Sequence, residues 1–410
     1  MAGQDAFGRL RTSDVFTTFN YYPSSLTTDT NNDADIWVGT QDGGAQIYQS
    51  ANYIDMPTSG TGNTYSLRQT VNRMVYQPGK SRLMYFTGVM METVTGVTNT
   101  SSIGLFSVDG STPPELSQGT AFQAVIANDA GTLYWTDKTQ LALNQIAQSN
   151  WNIDIFDGNG PSGKTITFAD MDKTILIVID QEWLGVGRIR CGFIMDGIIY
   201  YAHEFSHSGL SVQYTTTPRL PLSYLITGTS ANTMRQMCST CIIEGGYFST
   251  GRQISSGNGN NLIQLNTTQD RVLLAFKIDD TSYPTASASL NDISLMYTGG
   301  SSNYAYYTVQ LFSPTLGATT PALGAFTSIA NSALTYVLGD GSTYVSTPGY
   351  TIFSGYTEAR STIEILKSEY KQLLTRLTIS NGNILVITGQ SNSSAGTSDM
   401  GACITFIEDV

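Results

Sequence analysis

The five residues His203-Glu204-Phe205-Ser206-His207 spell H-E-x-x-H, the pattern in which two imidazoles hold a zinc ion and the glutamate activates its bound water. That chelate needs a helix, because only there do positions i and i+4 meet on one face. Here the flanks predict a strand: Ile198-Ile199-Tyr200-Tyr201 precede the match and Ser208-Gly209 follow it, with no run of helix formers. On an extended chain the two rings stand about 13 Å apart, too far for one ion. The chain has no third histidine, and the longer metal-protease pattern fails at Leu210 and Gln213, so a third ligand would have to be a carboxylate such as Glu244. A chance match on a strand end is the expected reading; a zinc metallopeptidase using His203, Glu204 and His207 is the rival.

Cys238-Ser239-Thr240-Cys241 has the C-x-x-C spacing of thiol redox sites and of half a zinc site. No second pair accompanies it, and Ile242-Ile243 predicts a strand, on which an odd separation turns the sulfurs to opposite faces. Structural thiols are expected. There is no G-x-S-x-G elbow, Walker loop or strand-linked G-x-G-x-x-G. Three N-x-S/T matches, at Asn99, Asn266 and Asn392, have little meaning without export. A glycosidase carboxylate pair converges only in the fold and has no positive support here. Trp135, Trp151 and Trp183 have the ring type that stacks on sugars, although tryptophan is more often core. No catalytic residue, cofactor or metal site is expected.

Whatever these side chains do, strands must carry them. Charged residues are 13% of the 410-residue chain, about half the usual globular share, and roughly a quarter of it is Ser or Thr, beside 40 Gly and 23 Tyr. Ser, Thr and Gly disfavour helices, while β-branched and aromatic residues suit a pleated surface. The expected fold class is all-β, and the length allows two to three domains. A net charge of −12, with 20 Lys and Arg against 32 Asp and Glu, repels a phosphate backbone, so nucleic acid is not an expected partner. The opening MAGQDAFGRLRTSD has no apolar h-region, and no segment reaches about 18 uninterrupted apolar residues, which predicts a cytosolic product without Sec export or membrane insertion.

Strands are predicted on either side of a Pro78-Gly79 turn between Tyr65 and Met91, then at Ser102 to Val108, Ala121 to Ala127 and Thr132 to Trp135. Leu141 to Ile146 has the spacing of a short helix. Thr174 to Ile179 is a β-branched run of the kind buried on both faces, and Arg188 to Met195 and Ile198 to Phe205 flank Asp196-Gly197, the strongest short hairpin signal. Ser255 to Asn261 has linker composition. Strands resume at Arg271 to Ile278, Ser294 to Tyr297, Tyr304 to Phe312, Asn383 to Thr388 and Ala402 to Ile407, while Thr362 to Leu374 fits either a helix face or a strand. Long strands without βαβ alternation point to a sandwich. Residues 1–30 read as an extended arm: Phe7, Arg9, Leu10 and Arg11 place two scarce cations beside two apolar side chains, a docking strip for a neighbouring subunit. An arm tucked against its own domain is the alternative.

Several of these segments together resemble a group of virion structural proteins of tailed phages and large algal DNA viruses. They are Asp5-Ala6-Phe7-Gly8-Arg9-Leu10-Arg11-Thr12-Ser13, Arg68-Gln69-Thr70 with Arg73, Tyr76-Gln77-Pro78-Gly79-Lys80-Ser81, the hairpin from Gly192-Phe193 to His203-Glu204-Phe205, and Glu244-Gly245-Gly246-Tyr247. The resemblance covers roughly residues 1–250, and the remainder only in style. It implies a lectin-like β-sandwich of concanavalin or jelly-roll type over 31–250, and the later strands predict a second, smaller β-sandwich domain over 262–410. It also implies a non-enzymatic capsid, collar, fibre or tail component, made in the host cytoplasm and partnered in the virion by other virion proteins and copies of itself. Host-surface glycans are the partners in the alternative of a carbohydrate-binding module.

Overall fold

The computed structural model describes residues 16–21, 37–42, 47–50, 53–70, 73–74, 76, 79–244, 252–279, 281–283, 286–299, 303–312, 322–347, 349–358, 362–364, 378–379, 383–392 and 398–409. The chain divides between Tyr247 and Phe248 into two units, each built from antiparallel sheets. Helix is confined to two single turns, Gln148–Asn150 and Phe168–Asp172, among the described residues. No helix among them is long and apolar enough to cross a membrane.

In the first unit an eight-stranded sheet runs in the order Ile198–Phe205, Ile189–Met195, Thr174–Gln181, Arg82–Val89, Ala231–Glu244, Tyr53–Ser59, Tyr48–Ser50, with Phe16–Tyr21 also paired to Ala231–Glu244. A seven-stranded sheet runs Leu143–Ala147, Ala130–Lys138, Leu116–Asn128, Val97–Val108, Leu222–Gly228, Thr64–Thr70, Trp37–Asp42. Alternate residues of a strand share a face. Met84 and Phe86, Ile177 and Ile179, and Cys191 and Phe193 of the first sheet accordingly enter one core with Ile103 and Leu105, Phe122 and Ala124, and Leu133 and Trp135 of the second. That shared core makes the unit a β-sandwich. The β-branched run is covered on both faces in its second half, where Ile177, Val178 and Ile179 are at most 1% exposed, whereas Thr174 is exposed and Ile175 and Leu176 are half-buried.

The Asp196-Gly197 hairpin forms as expected, with φ of 54° and 77° at its two central residues, the signs a type I′ turn requires. A bulge between Cys191 and Gly192 follows, where a Cβ on Gly192 would sit 2.2 Å from the Tyr200 carbonyl oxygen. Other local readings are corrected by tertiary pairing. Thr64–Thr70 and Arg82–Val89 lie in different sheets, so they are not the two arms of one hairpin; Gly79 has φ 79°, and Pro78 lies outside the described residues. Leu143–Ala147 is a strand, because pairing along Ala130–Lys138 satisfies its main chain where one helical turn could not. Phe16–Tyr21, inside the expected arm, is a strand in register with Ala231–Glu244, and Tyr21 packs edge-on against Trp37 at 6.0 Å. Phe7, Arg9, Leu10 and Arg11 lie outside the described residues.

The second unit repeats the plan with different strands. Its six-stranded sheet runs Arg252–Gly257, Asp399–Asp409, Ser287–Thr298, Thr362–Glu364, with Ile263–Gln264 and Thr378–Ile379 attached. Its seven-stranded sheet runs Thr327–Ser328, Leu334–Leu338, Asp270–Ile278, Ile384–Ser391, Tyr304–Phe312, Tyr350–Glu358, with Tyr344–Val345 attached. Leu290, Ile293, Ile404 and Phe406 from one sheet share a core with Leu274, Phe276, Val309 and Ile387 from the other, and the Phe276 and Phe406 rings meet at 4.9 Å. Ser255 to Gly257, given linker composition by the sequence, belong to a strand of this unit, which therefore starts before residue 262. Thr362–Glu364 resolves the ambiguous segment as strand at its start; its continuation lies outside the described residues.

Candidate functional site

His203 lies on the strand Ile198–Phe205 and His207 just beyond it, and each ring has its own partners. His203 Nδ1 accepts the main-chain N–H of Asn152 at 3.2 Å, and the ring meets Phe205 edge-on at 4.5 Å. Burial pushes the His203 pKa down to about 4, so this imidazole is neutral at pH 7. His207 places Nδ1 2.5 Å from the Gly187 carbonyl and Nε2 2.9 Å from Asp137 Oδ2. A carbonyl only accepts, so Nδ1–H is the donor to Gly187. Glu204, the base of the zinc reading, has its carboxylate 3.6 Å from Arg188 Nη1. Glu244 belongs to a strand four spacings away in the sheet, roughly 19 Å across. The motif therefore does not converge on one ion, and no group of three metal-ligating side chains occurs among the described residues.

His207 belongs instead to a buried polar chain that spans the sandwich. Its ring stacks on Tyr214 at 3.9 Å with the planes 8° apart. Tyr214 Oη accepts from Gln181 Nε2 at 2.8 Å, and Gln181 Oε1 accepts from the Arg82 guanidinium. Arg82 also donates to the Met74 carbonyl at 3.1 Å and the Pro218 carbonyl at 2.6 Å. At the other end Asp137 Oδ1 accepts from Thr120 Oγ1 at 3.0 Å. Arg82 and Gln181 stand on the eight-stranded sheet, Thr120 and Asp137 on the seven-stranded one. Burial lowers the Arg82 pKa and raises that of Tyr214. A guanidinium still stays charged there, and a buried charge is tolerable only with partners of this kind. The chain thus pins the connection after Phe205 to both sheets.

That connection meets two other loops. Tyr214 N–H donates to the Gly185 carbonyl and Gln140 N–H to the Tyr214 carbonyl, both at 2.8 Å, and Gln140 Nε2 donates to the Gln213 carbonyl at 2.9 Å. On the three loops stand Leu141, 63% exposed, Leu184, 51%, and Val186 and Val212, 43% each. Leu184 has φ 38°, a conformation few branched side chains adopt, and its N–H is held by Tyr76 Oη at 3.1 Å. The preceding Trp183 is fixed by Nε1–H donation to Thr215 Oγ1 at 2.8 Å and by the Tyr76 ring at 5.2 Å. Single exposed aliphatics are ordinary; here four stand on loops bonded to one another.

The remaining sequence candidates are structural. Cys238 is exposed and Cys241 buried, on opposite faces as the odd spacing requires; burial pushes the Cys241 pKa up to about 12, which keeps it a thiol. Cys191 is buried and Cys403 exposed, and all four sulfurs are free. Trp135 and Trp151, 0% and 4% exposed, pack with Phe122 and Phe193, so neither offers a face to a sugar. Sequence reasoning passed over Arg82, Asp137, Gln181 and Tyr214 because their types are common and their partners distant. The aliphatics of Leu184-Gly185-Val186-Gly187 did carry a signal: apolar side chains set among glycines, where no strand could bury them.

No protein-family model matches the chain, and no curated protein matches it. Among solved structures it is similar to a Lotus tetragonolobus seed lectin at 10% identity, covering 56% of this chain and 100% of that one with a TM-score of 0.35. It is similar to the legume lectin-like domain from Entamoeba histolytica at 10% identity, covering 55% and 100% with a TM-score of 0.32. It is also similar to the CBM2 module of the Lactobacillus casei BL23 phage J-1 evolved Dit at 10% identity, covering 58% and 94% with a TM-score of 0.32. At such scores these likenesses carry no argument about activity, and both sandwiches stand on their own strand pairing and shared cores.

Proposed function

We propose that this chain is a non-catalytic building block of a virus particle, held to a neighbouring subunit by the aliphatic loops of its first sandwich. The observation that carries the docking is Leu141, Leu184, Val186 and Val212 standing in water on three loops bonded to one another. Fully covering a side chain of this size is worth about 1.5–3 kcal/mol, so a partner surface gains from all four at once. Stable interfaces bury roughly 1,200–2,000 Å², more than four side chains supply, which leaves room for Phe7, Arg9, Leu10 and Arg11 to add to the contact. The Asp5 to Ser13 and Gly192 to Phe205 resemblances support the virion, and the low charge density suits a surface closed against neighbours. The chain is made in the host cytoplasm and ends on the particle. Both imidazoles of the H-E-x-x-H match are engaged within the fold, His203 with the Asn152 main chain and His207 with Asp137, which supports assembly over chemistry.

In a producing culture the chain should band with particles in a density gradient. The variant Leu141→Ser, Leu184→Ser, Val212→Ser should remain in the soluble fraction with an unchanged far-ultraviolet spectrum. A folded triple variant that still bands with particles removes the loop surface, and purified particles without the chain remove the virion reading.

A further inference from the structure

The strand Tyr304–Phe312 turns Ala305, Tyr307 and Val309 into the core of the second sandwich, so Tyr304 and Tyr306 lie on the outer face of the seven-stranded sheet. Register sets Tyr356, on the edge strand Tyr350–Glu358, directly opposite Tyr306. The three rings cluster: Tyr304 meets Tyr356 at 5.6 Å and 75°, and Tyr306 meets it at 5.2 Å and 50°. Tyr304 is 46% exposed and Tyr356 68%. Exposed apolar bulk elsewhere on this unit is also mainly tyrosine, at Tyr344 and Tyr350, whereas the first unit exposes mainly Leu, Ile and Val. The two surfaces suit different partners, because a phenol offers a flat apolar face rimmed by a hydroxyl.

The platform is held in place. Tyr304 N–H donates to Asn392 Oδ1 at 2.9 Å, and Asn392 N–H returns to the Tyr304 carbonyl at 3.0 Å. Gln390, opposite Tyr306 on the neighbouring strand Ile384–Ser391, shares its outer face and donates Nε2–H to the Thr267 carbonyl at 2.7 Å, and Ser354 stands two residues before Tyr356 on the same face. The strands Tyr304–Phe312, Tyr350–Glu358 and Ile384–Ser391 contain no Lys or Arg and one carboxylate, Glu358. A sulfated or phosphorylated ligand would find no counter-charge on them.

We propose that Tyr304, Tyr306 and Tyr356 form a stacking site for a neutral saccharide chain. The C–H face of a pyranose ring covers a phenol face, and the sugar hydroxyls meet Ser354 and the Gln390 amide. Rings tilted by 50° and 75° fit successive units of a single flexible chain rather than the flat surface of a crystalline polymer. The site goes beyond the docking role of the first sandwich and does not depend on it.

The test uses the full-length chain with maltohexaose, chitohexaose and mannohexaose as neutral probes and dextran sulfate as the anionic one, read by titration calorimetry at low and high salt. At least one neutral hexasaccharide should bind with little salt dependence. Tyr356→Leu and Tyr306→Leu, which keep apolar bulk without a ring face, should each weaken that binding at least about tenfold, while Tyr48→Ala in the first unit binds as wild type. Binding to none of the neutral probes, binding to dextran sulfate alone, or full binding by folded Tyr356→Leu would overturn the site.

Discussion

His203 and His207 lie four residues apart and meet opposite demands: one ring is kept neutral, the other sits between a carbonyl and a carboxylate. For His203 this has a consequence in pH. Its pKa is about 4 in the fold against an ordinary 6.5, so between these values the unfolded chain binds a proton that the folded chain refuses. The group's contribution is complete above pH 6.5 and is lost as pH falls toward 4, by roughly 3 kcal/mol. Urea denaturation of wild type should therefore show a larger stability loss between pH 7 and pH 5 than the variant His203→Gln; parallel losses would show that His203 is not the group responsible. Chemical type was legible at these positions, and strand context sufficed to refuse a zinc chelate. Partnership was not legible, because His207 finds Asp137 70 residues away through a loop closure that no local pattern records.

Elements were legible where both partners are local. The Asp196-Gly197 hairpin carries its own turn chemistry, and its two glycines separate two kinds of constraint. Gly197, at φ 77° with open space around it, should lose about 1 kcal/mol on substitution by alanine, from backbone strain alone. A Cβ on Gly192 would sit 2.2 Å from the Tyr200 carbonyl oxygen, so Gly192→Ala must displace the neighbouring strand and should cost about twice as much or more. Equal costs in chemical denaturation would deny the close approach at the bulge. Where the partner is remote, the strand was legible and its sheet was not. Arg82–Val89 reads as a strand by itself, yet it lies between Thr174–Gln181 and Ala231–Glu244, which only the closed fold brings to it. Leu143–Ala147 was misread although its partner Ala130–Lys138 is local, since six residues show too little periodicity to reveal an edge strand.

At the scale of the whole molecule, the division near residue 250 follows from composition and strand spacing, while the start of the second sandwich does not. Ser- and Gly-rich sequence makes linkers, and it also makes half-exposed edge strands such as Arg252–Gly257. Two separate cores predict two calorimetric transitions. Phe86→Ala should lower one and Phe276→Ala the other, each by about 3–5 kcal/mol of local stability. A single transition moved by both variants would mean that the two cores melt as one. The free sulfurs give the same division a practical expression. Cys191 and Cys241 are sealed inside, while Cys238 stands exposed on the first sandwich and Cys403 on the second. The native chain therefore presents one addressable thiol per unit, a ready pair of attachment points for a donor and an acceptor fluorophore that needs no engineered cysteine.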